Sequence, residues 1–174
     1  MANPVVHGRK VAVRQASADD DALLALVRAL QAHELALFDR MIPPEQIDET
    51  YLDHLRADCA AYDGVVLVAV EGDRVIGYAS LMRKAFDESY DETPYTYAYI
   101  GDLVVSPEAR GGGVGRALIE ACEAEARASG ARWLRISVLA QNAGAHALYR
   151  SAGFADHLVT LEKPLSGAAR GDGG

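Results

Sequence analysis

Residues 97–118 constrain this chain more than any other stretch. Tyr97 to Val105 is rich in β-branched and aromatic residues, lacks proline and reads as a strand. Ser106 and Pro107 close it, because proline cannot donate to a ladder. Gly111, Gly112, Gly113 and Gly115 then crowd together, and Val114, Ala117, Leu118 and Ala121 follow at helical spacing. A strand, a glycine turn and a helix start place several unpaired N–H groups at the positive end of a helix dipole, which is a cradle for an anion. Glycines let a phosphate approach the backbone, and Arg110 and Arg116 add positive charge at the rim.

The spacing narrows the choice of phosphate ligand. The lysine-bearing nucleotide loop needs G-x-x-x-x-G-K-[ST], and here Gly111 is followed five residues later by Arg116 with no such pair. The dinucleotide pattern G-x-G-x-x-G places its last glycine on Arg116 or on Leu118, depending on where it starts. What fits is Arg110-x-x-Gly113-x-Gly115 behind a strand; the bland alternative is a glycine-rich surface loop. Further on, Asn142-x-x-Ala145-x-x-x-Tyr149-x-x-x-Gly153-Phe154 forms a second pattern, one helix and one strand downstream. The two motifs in this order resemble the GCN5-related N-acetyltransferase (GNAT) superfamily, which binds acetyl-CoA.

The resemblance covers residues 10–163 and implies roles residue by residue. Arg110, Gly111, Gly112, Gly113, Val114, Gly115 and Arg116 would hold the coenzyme diphosphate. Leu103, Val104 and Val105 would offer main-chain groups to the pantetheine arm, on a strand that splays from its neighbour. Asn142 would bond the same arm, although an ordinary helix cap is also open to it. Tyr149 would be the general acid at the coenzyme sulfur, since a phenol with a pKa near ~10 stays protonated at neutral pH; its alternative is a core aromatic. Polyamine acetyltransferases of the superfamily carry a glutamate nine residues before the motif arginine, and here that position is Gly101. Asp102 follows and is the candidate base or substrate ligand, with a structural aspartate or a water chain as alternatives. Strict alternation sends Tyr97, Tyr99 and Gly101 to one face and Asp102 to the other, unless a bulge intervenes. Tyr97, Tyr99 and Glu34 are the candidate acceptor-site residues, and acids at 87–92 are further candidates for a cationic acceptor.

In chain order the sequence predicts a lead at 1–9, one domain at 10–165 and a Gly/Ala-rich tail at 166–174. A strand at 10–15 is followed by helices at 20–39 and from Glu45, and by strands at 65–70 and 75–81 around a turn at Gly72. A polar loop spans 83–95. After the central motif come a helix ending at Gly130, a strand at 133–139, a helix from Asn142 to Gly153 and a strand at 154–161. This order predicts an α/β (α+β) fold, a mixed and mainly antiparallel sheet with helices on both faces.

A net charge of −8 argues against nucleic acid as a partner and suits a cationic one. No apolar run approaches the ~20 residues of a membrane span, and His7, Gly8, Arg9 and Lys10 interrupt any signal-peptide core, so the expected location is the cytoplasm. The five histidines show no ligand spacing, so no metal is expected, and Cys59 and Cys122 form no redox motif, with Cys122 read as a packing residue. The resemblance implies direct acetyl transfer from acetyl-CoA to a primary amine, on a small polyamine- or aminoglycoside-like acceptor. A protein N-terminus, a lysine or an amino acid is the second choice, and a non-catalytic acyl-CoA-binding module is the alternative of another class. A homodimer, common in the superfamily, is compatible with the helix-rich surface.

Overall fold

The computed structural model describes residues 5–6, 9–17, 20, 22–87, 95–163 and 165. A short β1 (Val5–Val6) pairs with β2 (Arg9–Gln15). Helices α1 (Ala22–Leu35) and α2 (Glu49–Ala61) follow, then β3 (Val65–Glu71), β4 (Arg74–Asp87) and β5 (Tyr95–Val105). The chain continues through α3 (Val114–Ala128), β6 (Leu134–Ile136) and α4 (Ala143–Ser151). The strands lie in one sheet in chain order; β1 to β5 pair antiparallel and β6 joins β5 in parallel.

Alternation along the strands builds two apolar layers. Val65, Leu67 and Ala69 of β3 turn to one face, where Val114, Leu118, Cys122 and Ala126 of α3 cover them at four-residue spacing. Val66, Val68 and Val70 turn to the other face and meet Leu23, Leu26 and Val27 of α1 and Leu52 and Leu55 of α2. The sheet is therefore covered on both sides, as the order of elements predicts. Cys122 is buried in the α3 layer, and burial pushes its thiol up to about 12, so it is a packing group rather than a nucleophile.

Some elements differ from the sequence-based expectation. Helix α1 stops early because Leu37 and Phe38 both donate their N–H to the Glu34 carbonyl, which closes the last turn. Asp20 stays outside it, bound to Arg14 at 2.7 Å. The second helix starts at Glu49 behind the cap Asp48, whose side chain accepts from Thr50 N; the Pro44–Gln46 segment is a separate 3-10 turn. Strand β4 runs on to Asp87, paired with β5 as far as Tyr95, so the expected polar loop at 83–95 begins later. Residues 88–94, with Glu88, Asp91 and Glu92, lie outside the described residues, as do the residues of the expected tail.

The expected last strand at 154–161 is not formed. Leu158 is 84% exposed and Leu161 89%, and β propensity alone does not make a strand without a ladder partner. The segment instead runs toward the end of α1, where Glu162 takes two bonds from Arg40 at 2.8 and 2.9 Å.

Candidate active site

Strands β5 and β6 share three residue pairs, ending at Ile100 opposite Ile136, and then part. Strand β5 continues to Val105 while β6 stops. The gap opens a cleft of about 660 Å³ bordered by 101–105 of β5 and 136–139 beyond β6. Leu30, His33 and Glu34 of α1 and Leu37 just beyond it wall one side, and Asn142, Leu148 and Tyr149 wall it from α4 and its cap. Leu103, Val104 and Val105 line it, on a strand splayed as the resemblance implies.

One end of the cleft has the backbone features that suit an anion. Gly111 and Gly113 have φ of +71° and +79°, a left-handed backbone that other residues adopt at a cost of about 1–2 kcal/mol. Gly113 is the N-cap of α3 and supplies no side-chain cap, whereas Asp48 caps α2 and Asn142 caps α4. The N–H groups of Val114, Gly115 and Arg116 belong to the first turn and have no intrahelical acceptor, so they remain open. A Cβ on Gly112 would stand 3.2 Å from the Ala109 carbonyl oxygen; Gly112 itself sits behind the lining of the cleft.

The two arginines of the loop behave differently. Arg110 lines the cleft, donates from Nε to the Val105 carbonyl at 3.2 Å and has no ion pair among the described residues. Arg116 donates to the Ser151 carbonyl at 2.7 Å and faces Glu120, so much of its charge serves to tie α3 to the end of α4. Asn142 spends Oδ1 on the Ala145 N–H at 3.1 Å. Its Nδ2 has no partner among the described residues and is left for the cleft.

The other end is acidic and aromatic. Gly101 and Asp102 together stand opposite Ser80, because Ile100 pairs with Leu81 and Leu103 with Ala79. This is a β-bulge, and Asp102 N donates to Ser80 Oγ at 2.8 Å in place of a ladder bond. Strict alternation is thereby reversed: Asp102 turns to the α1–α2 side, where Tyr51 and Tyr78 both donate to its Oδ2, at 3.1 and 2.9 Å. Burial raises the Asp102 carboxyl, and the two hydroxyls oppose that rise. Glu34 is raised by its own burial and then by the charge of Asp102. Among the described residues no lysine or arginine pairs with either carboxylate.

Tyr149 is half-buried beside them. Its ring meets Phe154 edge-on at 5.9 Å, and burial, with Glu34 and Tyr99 nearby, pushes its phenol up to about 12. The Phe154 N–H returns to the Tyr149 carbonyl at 3.0 Å through Gly153 at φ +94°, so the helix end that the motif spells also seats this ring.

Tyr97 and Tyr99 do not border the cleft. The Arg135 guanidinium lies 4.0 Å above the Tyr97 ring, and the Tyr99 hydroxyl donates to Ser137 Oγ at 2.9 Å. Among the described residues no group of His, Cys, Asp and Glu could hold a metal ion, and no helix is long and apolar enough to cross a membrane. Sequence reasoning missed Tyr51, Tyr78 and Ser80. The first two were legible only as apolar positions of a helix and a strand.

The family model described as acetyltransferase (GNAT) family matches residues 29–154. The chain belongs to the GNAT acetyltransferase family. It is 30% identical over 122 residues to the aminoglycoside N(6')-acetyltransferase type 1 of Stenotrophomonas maltophilia, across 68% of this chain and 78% of that one. It is 43% identical over 85 residues to the IAA acetyltransferase of Azospirillum brasilense, across 42% of this chain and 56% of that one. Among solved structures, a mutant of the BH1408 protein from Bacillus halodurans matches with a TM-score of 0.80 at 23% identity, covering 89% of this chain and 99% of that one. The last likeness speaks for the GNAT fold.

Proposed function

We propose that this protein moves the acetyl group of acetyl-CoA directly to the primary amine of a small cationic acceptor, polyamine- or aminoglycoside-like. One observation carries this: a single cleft joins an uncapped helix start at Gly113 to two carboxylates, Glu34 and Asp102, with which no lysine or arginine pairs among the described residues. GNAT family acetyltransferases use acetyl-CoA, and the residues present fit it. Bare glycines, open first-turn amides and Arg110 suit a diphosphate, and the one-sided stretch 103–105 of β5 suits an arm that carries amides.

Bound there, acetyl-CoA supplies an activated thioester and leaves as the free thiol. An amine reaches a neutral-pH site mostly as ammonium and must lose a proton before it is nucleophilic. The Glu34–Asp102 pair draws the cation in and accepts that proton; burial raises both carboxyls, which suits a base. Tyr149 donates its phenolic proton at the sulfur. A phenol held near 12 keeps that proton through the neutral range until a thiolate forms. The two motifs contain no nucleophile for an acetyl-enzyme, and the buried Cys122 is not one, which favours direct transfer. The aminoglycoside-acetylating relative also supports a small-molecule acceptor.

Thiol release from acetyl-CoA, measured over a panel of polyamines, aminoglycosides, amino acids and peptides, tests the reading. Turnover is expected to be fastest with small polycations. Tight coenzyme binding with no turnover on any amine would replace it with a non-catalytic binding module, and a preference for peptides would replace the acceptor class.

A further inference from the structure

The acid at position 102 has a setting that ordinary stability does not explain. Two phenols converge on one oxygen of its carboxylate, Oδ2, from different elements: Tyr51 from α2 and Tyr78 from β4. Oδ1 has no hydrogen-bond partner among the described residues, and Asp102 borders the cleft. The fully buried Tyr78 hydroxyl needs an acceptor, but a neutral amide would serve, whereas a half-buried carboxylate with a second carboxylate nearby is a standing penalty. The bulge adds to the pattern. An extra residue and a ladder bond given up to Ser80 are what carry Asp102 to this face.

We infer that Tyr51 and Tyr78 are positioning residues of the acceptor site: their hydroxyls grip Oδ2 of Asp102 and thereby present Oδ1 to the entering ammonium. This rests on the amine-acetylating function proposed above. Two donors on one oxygen fix the carboxylate against rotation, and each favours its charged form. Burial, together with the charge of Asp102, raises both phenols, so they remain donors across any working pH. The groups facing Asp102 are then Tyr51 and Cys59 of α2 with Asp58 behind them, Tyr78 of β4 and Glu34 of α1 with His33 beside it. Of these neighbours Glu34 and Asp58 are carboxylates too, so their influence is separated from that of Asp102 by substitution.

The test uses Tyr51→Phe and Tyr78→Phe in the full chain, with Asp102→Asn as background and thermal melts to confirm folding. Each phenylalanine keeps the ring and removes one donor. The amine kcat/KM is expected to fall about tenfold at neutral pH. Its acidic limb is expected to move to higher pH, because a less-supported Asp102 holds its proton longer, while the KM for acetyl-CoA stays put. In the Asp102→Asn background Tyr51→Phe should change nothing further. Carbon-13 titration of the Asp102 carboxyl in the free protein should show the same upward move without any substrate, and Glu34→Gln should leave that difference in place. An active enzyme whose acidic limb and carboxyl titration are unmoved by both phenylalanines overturns the inference alone, as does an equal loss from Tyr51→Phe with and without Asp102. A wild type that releases thiol with no amine overturns the parent function, and this inference with it.

Discussion

Leu148 rests against the bare backbone of Gly115: a Cβ there would stand 2.9 Å from Leu148 Cδ2 and 3.7 Å from Val105 Cγ2. The first turn of α3 and the helix that carries Tyr149 therefore touch through a position where a side chain fits only if Leu148 gives way. Alanine at 115 gains up to about 1 kcal/mol of helix propensity but pushes on the flexible end of Leu148. Stability of Gly115→Ala should stay within about 1 kcal/mol of wild type, while kcat falls several-fold as the neighbouring Tyr149 shifts. Valine, which cannot yield in the same way, should destabilise by about 1–3 kcal/mol. Denaturant melts and steady-state rates on the same samples check both.

Tyr149→Phe keeps the edge-on contact with Phe154 and removes only the proton donor. The rate constant should drop by about 10²–10³-fold with both KM values little changed. An acid works below its pKa, so a phenol pushed up to about 12 should give no alkaline fall in kcat through the ordinary tyrosine range. A fall in kcat centred near ~10, lost in the phenylalanine variant, would contradict that placement.

Gly113 combines a left-handed φ with the uncapped helix start. Gly113→Ala should strain the loop by about 1–2 kcal/mol and weaken coenzyme A binding about tenfold, read by calorimetry, with the amine KM unchanged. Arg110→Ala should weaken the same binding and flatten its salt dependence, whereas Arg116→Ala should act more through stability, because that side chain bonds the Ser151 carbonyl.

Glu34 offers a test that needs no substrate. Its folded pKa lies above the unfolded one, so its contribution to stability is fully present below the unfolded value and is lost as pH rises through the folded value. Glu34→Gln should therefore melt higher than wild type at neutral pH, and the difference should close on acidification below the normal carboxylate range. Thermal melts across that range decide it; equal melting temperatures at every pH would mean that neither burial nor Asp102 strains Glu34.

Much of the backbone around this site was legible in the residues themselves. The Arg110–Gly115 spacing marks the glycine turn because left-handed turns select glycine locally, and Asn142 to Phe154 spells both a cap and a helix end. Asp102 was legible as a candidate but its direction was not. Alternation assigns it to the α3 side, and the bulge that reverses it depends on Ser80, twenty-two residues away on another strand. Tyr51 and Tyr78 look like apolar positions because their rings are buried in the core; only the folded sheet shows where their hydroxyls end. The unformed strand at 154–161 failed for a related reason, since pairing needs a partner that the local pattern cannot supply.

The early parting of β5 from β6 has a further consequence. Where a groove is edged by peptide groups left over from an interrupted ladder, its polar character belongs to the backbone and survives changes of side chain at the partly buried Leu103 or Val105. Substitutions there can retune width and grease without erasing the donors and acceptors. The wall at 103–105 therefore tolerates more change of side chain than the opposite wall, whose polarity rests on particular carboxylates and phenols.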